Sequence, residues 1–125
     1  MIHIKKYYDV IEKCLGLLNT IEEGFEYIQN QIKELRYENA FIVLQDIAEG
    51  ISSIENAIMP MEDKLPNNNV GERTIEVKEN IHKAMNSYKQ EKQSQLEEQI
   101  KQEIYPAFIG WKEEVERILR PYLLA

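Results

Sequence analysis

The chain has 125 residues, of which 43% are hydrophobic and 30% charged, with a net charge of −7. That is enough apolar material for one core, so a single domain over residues 1–125 is expected. The acidic balance excludes a broad electrostatic footprint for nucleic acid and disfavours an anionic membrane surface.

Glycine and proline are scarce, at 5 and 4 residues, and the remaining composition is rich in helix formers. The longest uninterrupted apolar run, Ala40 to Leu44, is far too short to cross a bilayer. Asp9, Glu12 and Lys13 interrupt what would be the apolar segment of a signal peptide. A single cysteine, Cys14, cannot form an internal disulfide, and it lies on an apolar stripe as a small buried hydrophobe. These features together lead to the expectation of a cytoplasmic protein with neither a membrane nor a nucleic-acid partner.

The first helix is predicted from Ile4 to Arg36. Its apolar positions Ile4, Tyr8, Ile11, Leu15, Leu18, Ile21, Phe25, Ile28, Ile32 and Leu35 recur mostly in alternating steps of three and four. Two successive steps of three between Leu15 and Ile21 rotate the stripe. Thr20 with Glu23 there matches a capping box, so one long helix with a local irregularity competes with a break and restart. Gly16 and Gly24 on either side would let a neighbouring backbone come close, or would merely loosen the helix.

A fresh stripe runs Ala40, Leu44, Ile47, Ile51, Ile54 and Ile58 without a break in rhythm, and predicts a second helix from Asn39 to Met59. Asn39 is its expected N-cap, Phe41 and Ala48 widen its face, and Pro60 ends it. Met59 to Gly71 concentrates turn formers and is the one larger loop. Asn69 with Glu72 then signals a third helix, burying Val77, Ile81, Ala84 or Met85, and Tyr88.

Lys89 to Gln95 contains no apolar side chain, yet it has neither glycine nor proline. Propensity favours one long third helix from Val70 to Ile104, while matched element lengths favour a turn here with Ser94 capping a new helix. The last helix is predicted from Pro106 to Tyr122, because Ile104, Phe108, Trp111, Val115, Ile118 and Tyr122 keep a four-three rhythm. The pairs Glu79 with Lys83, Glu97 with Lys101, Glu113 with Arg117 and Glu116 with Arg120 have the spacing of surface helix pairs. The expected architecture is an all-α, antiparallel up-and-down four-helix bundle with its larger loop between helices 2 and 3.

Motifs for chemistry are sparse. Glu79-x-x-His82 is half of the motif that helical di-iron proteins repeat on two helices, and His3 has no glutamate upstream. Ser52, Ser53, Ser87 and Ser94 lie in helical stretches without a glycine-framed turn, and Gly71 stands alone where a phosphate loop needs several glycines. No catalytic, cofactor or metal site is expected. Tyr105, Phe108, Trp111 and Tyr122 gather near the carboxyl terminus with Leu123 and Leu124. They read first as core, and second as anchors for a protein partner. The apolar tail must fold back on the bundle or dock into something else.

In size, helix order and the succession of Glu38 to Ile58, a polar loop and a long helix, the chain resembles the small cytoplasmic flagellar export chaperones of bacteria. The likeness also extends to uncharacterised bacterial helical bundles. It implies a bundle whose terminal helix covers or supplies a partner-binding surface. The function expected is that of a non-catalytic, adaptor- or chaperone-like module that binds a protein partner or pairs as a homodimer. The alternatives are a metal-dependent helical enzyme and a purely structural homodimer.

Overall fold

The computed structural model of the protein describes residues 7–90 and 93–124, excluding the side chains of Gln93 and Leu124. Its elements are α1 (Tyr8–Lys33), α2 (Tyr37–Ile58), a 3-10 turn (Met59–Lys64), α3 (Val70–Lys89), α4 (Gln93–Gln99), a π-helical turn (Ile100–Ile104) and α5 (Tyr105–Leu124). Since α4, the π turn and α5 follow one another directly, the molecule is an all-α four-helix bundle with four helical arms. No strand occurs among the described residues. The expected beginning of the first helix at Ile4, together with His3, lies outside them.

Helix α1 runs unbroken through Thr20, whose hydroxyl donates to the Gly16 carbonyl at 3.3 Å instead of capping a new helix. The stripe from Ile11 to Ile32 is buried as the spacing predicts. Leu35, placed on that stripe by its spacing, is instead 71% exposed and holds φ at 60°. It occupies the left-handed position of a Schellman turn, in which Leu35 N donates to Ile32 O and Arg36 N to Gln31 O.

Helix α2 buries all six residues of its stripe, from Ala40 to Ile58. It begins earlier than expected, at Tyr37. Asn39 is therefore not its N-cap: the side-chain amide donates to Gln31 Oε1 at 3.0 Å and ties α2 to α1. At Gly24 an added Cβ would lie 3.3 Å from Ile47, so the missing side chain lets the two helices approach closely, whereas Gly16 has open space.

Past α2 the chain does not become irregular at once. The 3-10 turn buries Met61 completely, and Tyr7 and Tyr122 donate their hydroxyls to the carbonyls of Pro60 and Lys64. Asn69 is the N-cap residue of α3, but Asn68 supplies the side-chain oxygen that accepts from Val70 N, at 3.0 Å.

The third arm corrects the long-helix expectation. Helix α3 stops at Lys89, where Gln90 N caps it on Asn86 O and Ser87 O, and the next helix starts at Gln93. Glu91 and Lys92 lie outside the described residues. The last two arms form an antiparallel hairpin joined in order by Ser87 with Gln99, Lys83 with Glu103 and Thr74 with Trp111. A straight helix from Val70 to Ile104 would be about 50 Å long and would carry Leu96 and Ile100 away from the core. In the hairpin both are buried.

The fourth arm thus begins at Gln93 and not at Pro106. Leu96, Ile100, Ile104 and Phe108 are spaced by three successive fours and are all buried. In an α-helix each such step drifts by about 40°, so the face would be lost within two turns. The wider π turn absorbs the drift, with Tyr105 N donating to Ile100 O five residues back. Pro106 has no N–H to give to the preceding turn, which lowers the cost of widening it.

In cross-section α1 neighbours α2 and α5, while α3 neighbours α2 and the last arm, so α1 and α3 stand diagonally across the bundle. The centre is filled by Phe25, Phe108 and Trp111, with the Phe25 and Phe108 rings 4.8 Å apart. Thr74, also fully buried, accepts from Trp111 Nε1 at 2.9 Å and donates to Val70 O at 2.7 Å. Lys112 Nζ lies 2.5 Å from Glu22 Oε1 and links α5 to α1, a contact that holds the lysine pKa above its usual value.

Candidate functional site

The aromatic residues near the carboxyl terminus are mostly committed to the bundle. Phe108 and Trp111 are completely buried, so the expectation that they face a partner gives way to a core role. Tyr105 is half-buried and meets the Phe25 ring edge-on at 5.4 Å. Tyr122 and Leu123 are also half-buried and pack against the core, with the Tyr122 hydroxyl held by Lys64 O. The tail folds back as far as it is described; the Leu124 side chain and Ala125 lie outside that range.

A different surface remains open. Each of α2 and α3 buries one stripe, and the residues one step around the helix on the facing sides bound a trough of about 960 Å³. From α2 come Ala48, Ser52 and Glu55, half-buried, and Glu49, exposed. From α3 come Ile75, which is 56% exposed, the half-buried Met85 and the buried Ile81. The apolar floor runs for about three helical turns, some 16 Å from Ile75 to Asn86.

Charge on the rims is mixed but unequal in its pairing. Lys78 reaches across to Glu55 at 3.1 Å, and Lys83 turns away to Glu103 at 3.1 Å and not to Glu79. Glu49 and Glu79 have no ion pair among the described residues. Glu79 and His82, the half-motif seen in the sequence, are both exposed on the α3 wall. Among the described residues no group of three or more His, Cys, Asp or Glu side chains comes together to hold a metal ion.

Other polar groups serve the fold. Burial raises the pKa of the Cys14 thiol, which makes it a poor nucleophile. The Glu114 carboxylate, hydrogen-bonded by Arg117 and by Asn69 N, is held down to about 2. Arg117 also donates to Asn67 O at 3.1 Å, so this pair fastens the large loop to α5. Of the expected helix pairs, Glu97 with Lys101 and Glu116 with Arg120 form, while Arg117 takes Glu114 in place of Glu113.

One family model matches residues 9–114, most of the chain. The chain belongs to that family, a domain of unknown function (DUF8042). The matched stretch of this DUF8042 chain contains both walls of the trough and ends within α5, before Tyr122. No curated protein and no solved structure matches it. Among the described residues, no helix is long and apolar enough to cross a membrane.

A signal for the trough was present in the sequence without being decisive. Ala48 widens the α2 face, and Ile75 sits beside the α3 stripe. A groove, however, is a relation between two helices, and the pattern along one of them cannot state it.

Proposed function

We propose that the protein is a non-catalytic, cytoplasmic interaction module, adaptor- or chaperone-like, that receives one amphipathic helix of a protein partner in the trough between α2 and α3. The observation carrying this reading is the exposed Ile75 above a floor of Ala48, Ile81 and Met85, an apolar strip left open between two helices. Such strips are where a helix lays anchors spaced three and four residues apart. An open channel some three turns long fits that guest better than a compact small molecule, which favours an enclosing pocket.

The test is substitution at Ile75. Ile75→Asp places a charge in the strip while touching a side chain that is already more than half exposed, so its thermal midpoint should stay close to that of the parent. Quantitative capture from host lysate should then lose one or more proteins that the parent retains. If the variant retains the same proteins in the same amounts, the trough is not the working surface.

A further inference from the structure

Resting on the helix-in-groove reading, we infer that the guest is a cationic amphipathic helix of another protein, with lysine or arginine on both sides of its apolar ridge. The rim charges differ in which are already satisfied. Both lysines of the α3 wall are engaged within the chain, Lys78 with Glu55 and Lys83 with Glu103, each at 3.1 Å. Glu49 on the α2 rim and Glu79 on the α3 rim are exposed and unpaired among the described residues. The field left over along both sides of the apolar floor is therefore negative. A guest with acidic flanks would meet like charge on both rims, and one with basic flanks would complete two pairs. A second copy of this chain is disfavoured as occupant, because it would bring another net charge of −7 and the same unpaired carboxylates.

Fluorescence anisotropy with the full chain tests this directly. The probes are two designed peptides of about 18 residues, long enough to form helix, with the same leucine and alanine ridge and either lysine or glutamate on the flanks. The lysine peptide should bind about tenfold tighter than the glutamate peptide at low salt. Glu49→Lys with Glu79→Lys should reverse that order. The pair Glu23→Lys with Glu26→Lys, exposed on α1 and diagonal to α3, changes the net charge equally and should preserve it. If the preference survives the first pair, or disappears equally in the second, the attraction belongs to the acidic chain at large and the inference fails. If both peptides bind equally and Ile75→Asp abolishes both, the charge inference fails while the groove reading stands. If neither peptide binds, both fail. Dimerisation of the chain alone that Ile75→Asp abolishes would make a second copy the occupant, overturning the inference.

Discussion

Leu35 stands in a backbone conformation that glycine adopts freely and leucine does not. With 71% of its surface exposed, its side chain returns little by packing, so Leu35→Gly should raise unfolding stability by about 1 kcal/mol in a denaturant titration. Thr74 presents the opposite case. Its hydroxyl is the partner that makes a fully buried tryptophan N–H tolerable, so Thr74→Val should lower stability by about 1–3 kcal/mol. Thr74→Ser, which keeps the hydroxyl, should lose less. Glu114 is the acid-sensitive residue. Because its folded pKa of about 2 lies below the usual 4.5, its contribution is present above the usual value and fades as pH falls towards 2. Glu114→Gln should flatten the stability profile in that acid range, measured as urea midpoints against pH. Single residues of this kind were hard to read in the sequence. Leu35 fits the apolar rhythm of α1, and only the turn that follows it takes it out of the core.

At the scale of elements, α1, α2 and the buried face of α5 were legible because their burial follows a one-dimensional period. The α2 stripe is the clearest example, and every one of its residues is buried. The reversal after Lys89 was not legible as a breaker, because the residues there all suit a helix and the turn is driven by where Leu96 and Ile100 can be buried. A trace of it was nevertheless present. Leu96, Ile100, Ile104 and Phe108 stand in successive fours, unlike the four-three rhythm of α3 and of the rest of α5, and only a π turn keeps fours on one face. Removing the exposed Gln102 would turn those spacings into four, three, four, the ordinary α-helical rhythm, with the same side chains still buried. Its deletion should leave the fold intact, within about 1–2 kcal/mol of the parent. Deleting Glu113, in the regular part of α5, should cost more than about 3 kcal/mol by turning buried residues out of register. Thermal unfolding of the two deletion variants measures the contrast.

Over the whole molecule, four arms close around Phe25, Phe108 and Trp111, and the tail that looked available in the sequence becomes part of that closure through Tyr122 and Leu123. The surface left for a partner moves to the side of the bundle where α2 and α3 meet. Neither helix announces this alone: α2 contributes small and acidic residues, α3 contributes Ile75 and Met85, and the strip exists only when the two are placed side by side. Family membership adds no activity, so the physical character of that strip carries the functional account. Its most direct test is an NMR titration of the isotopically labelled full chain with the lysine-flanked amphipathic peptide. Amide shifts should be confined to the trough, around Ala48 to Glu55 on α2 and Ile75 to Asn86 on α3. Shifts centred instead on α1, or on the stretch from Tyr105 to Leu123, would contradict that placement.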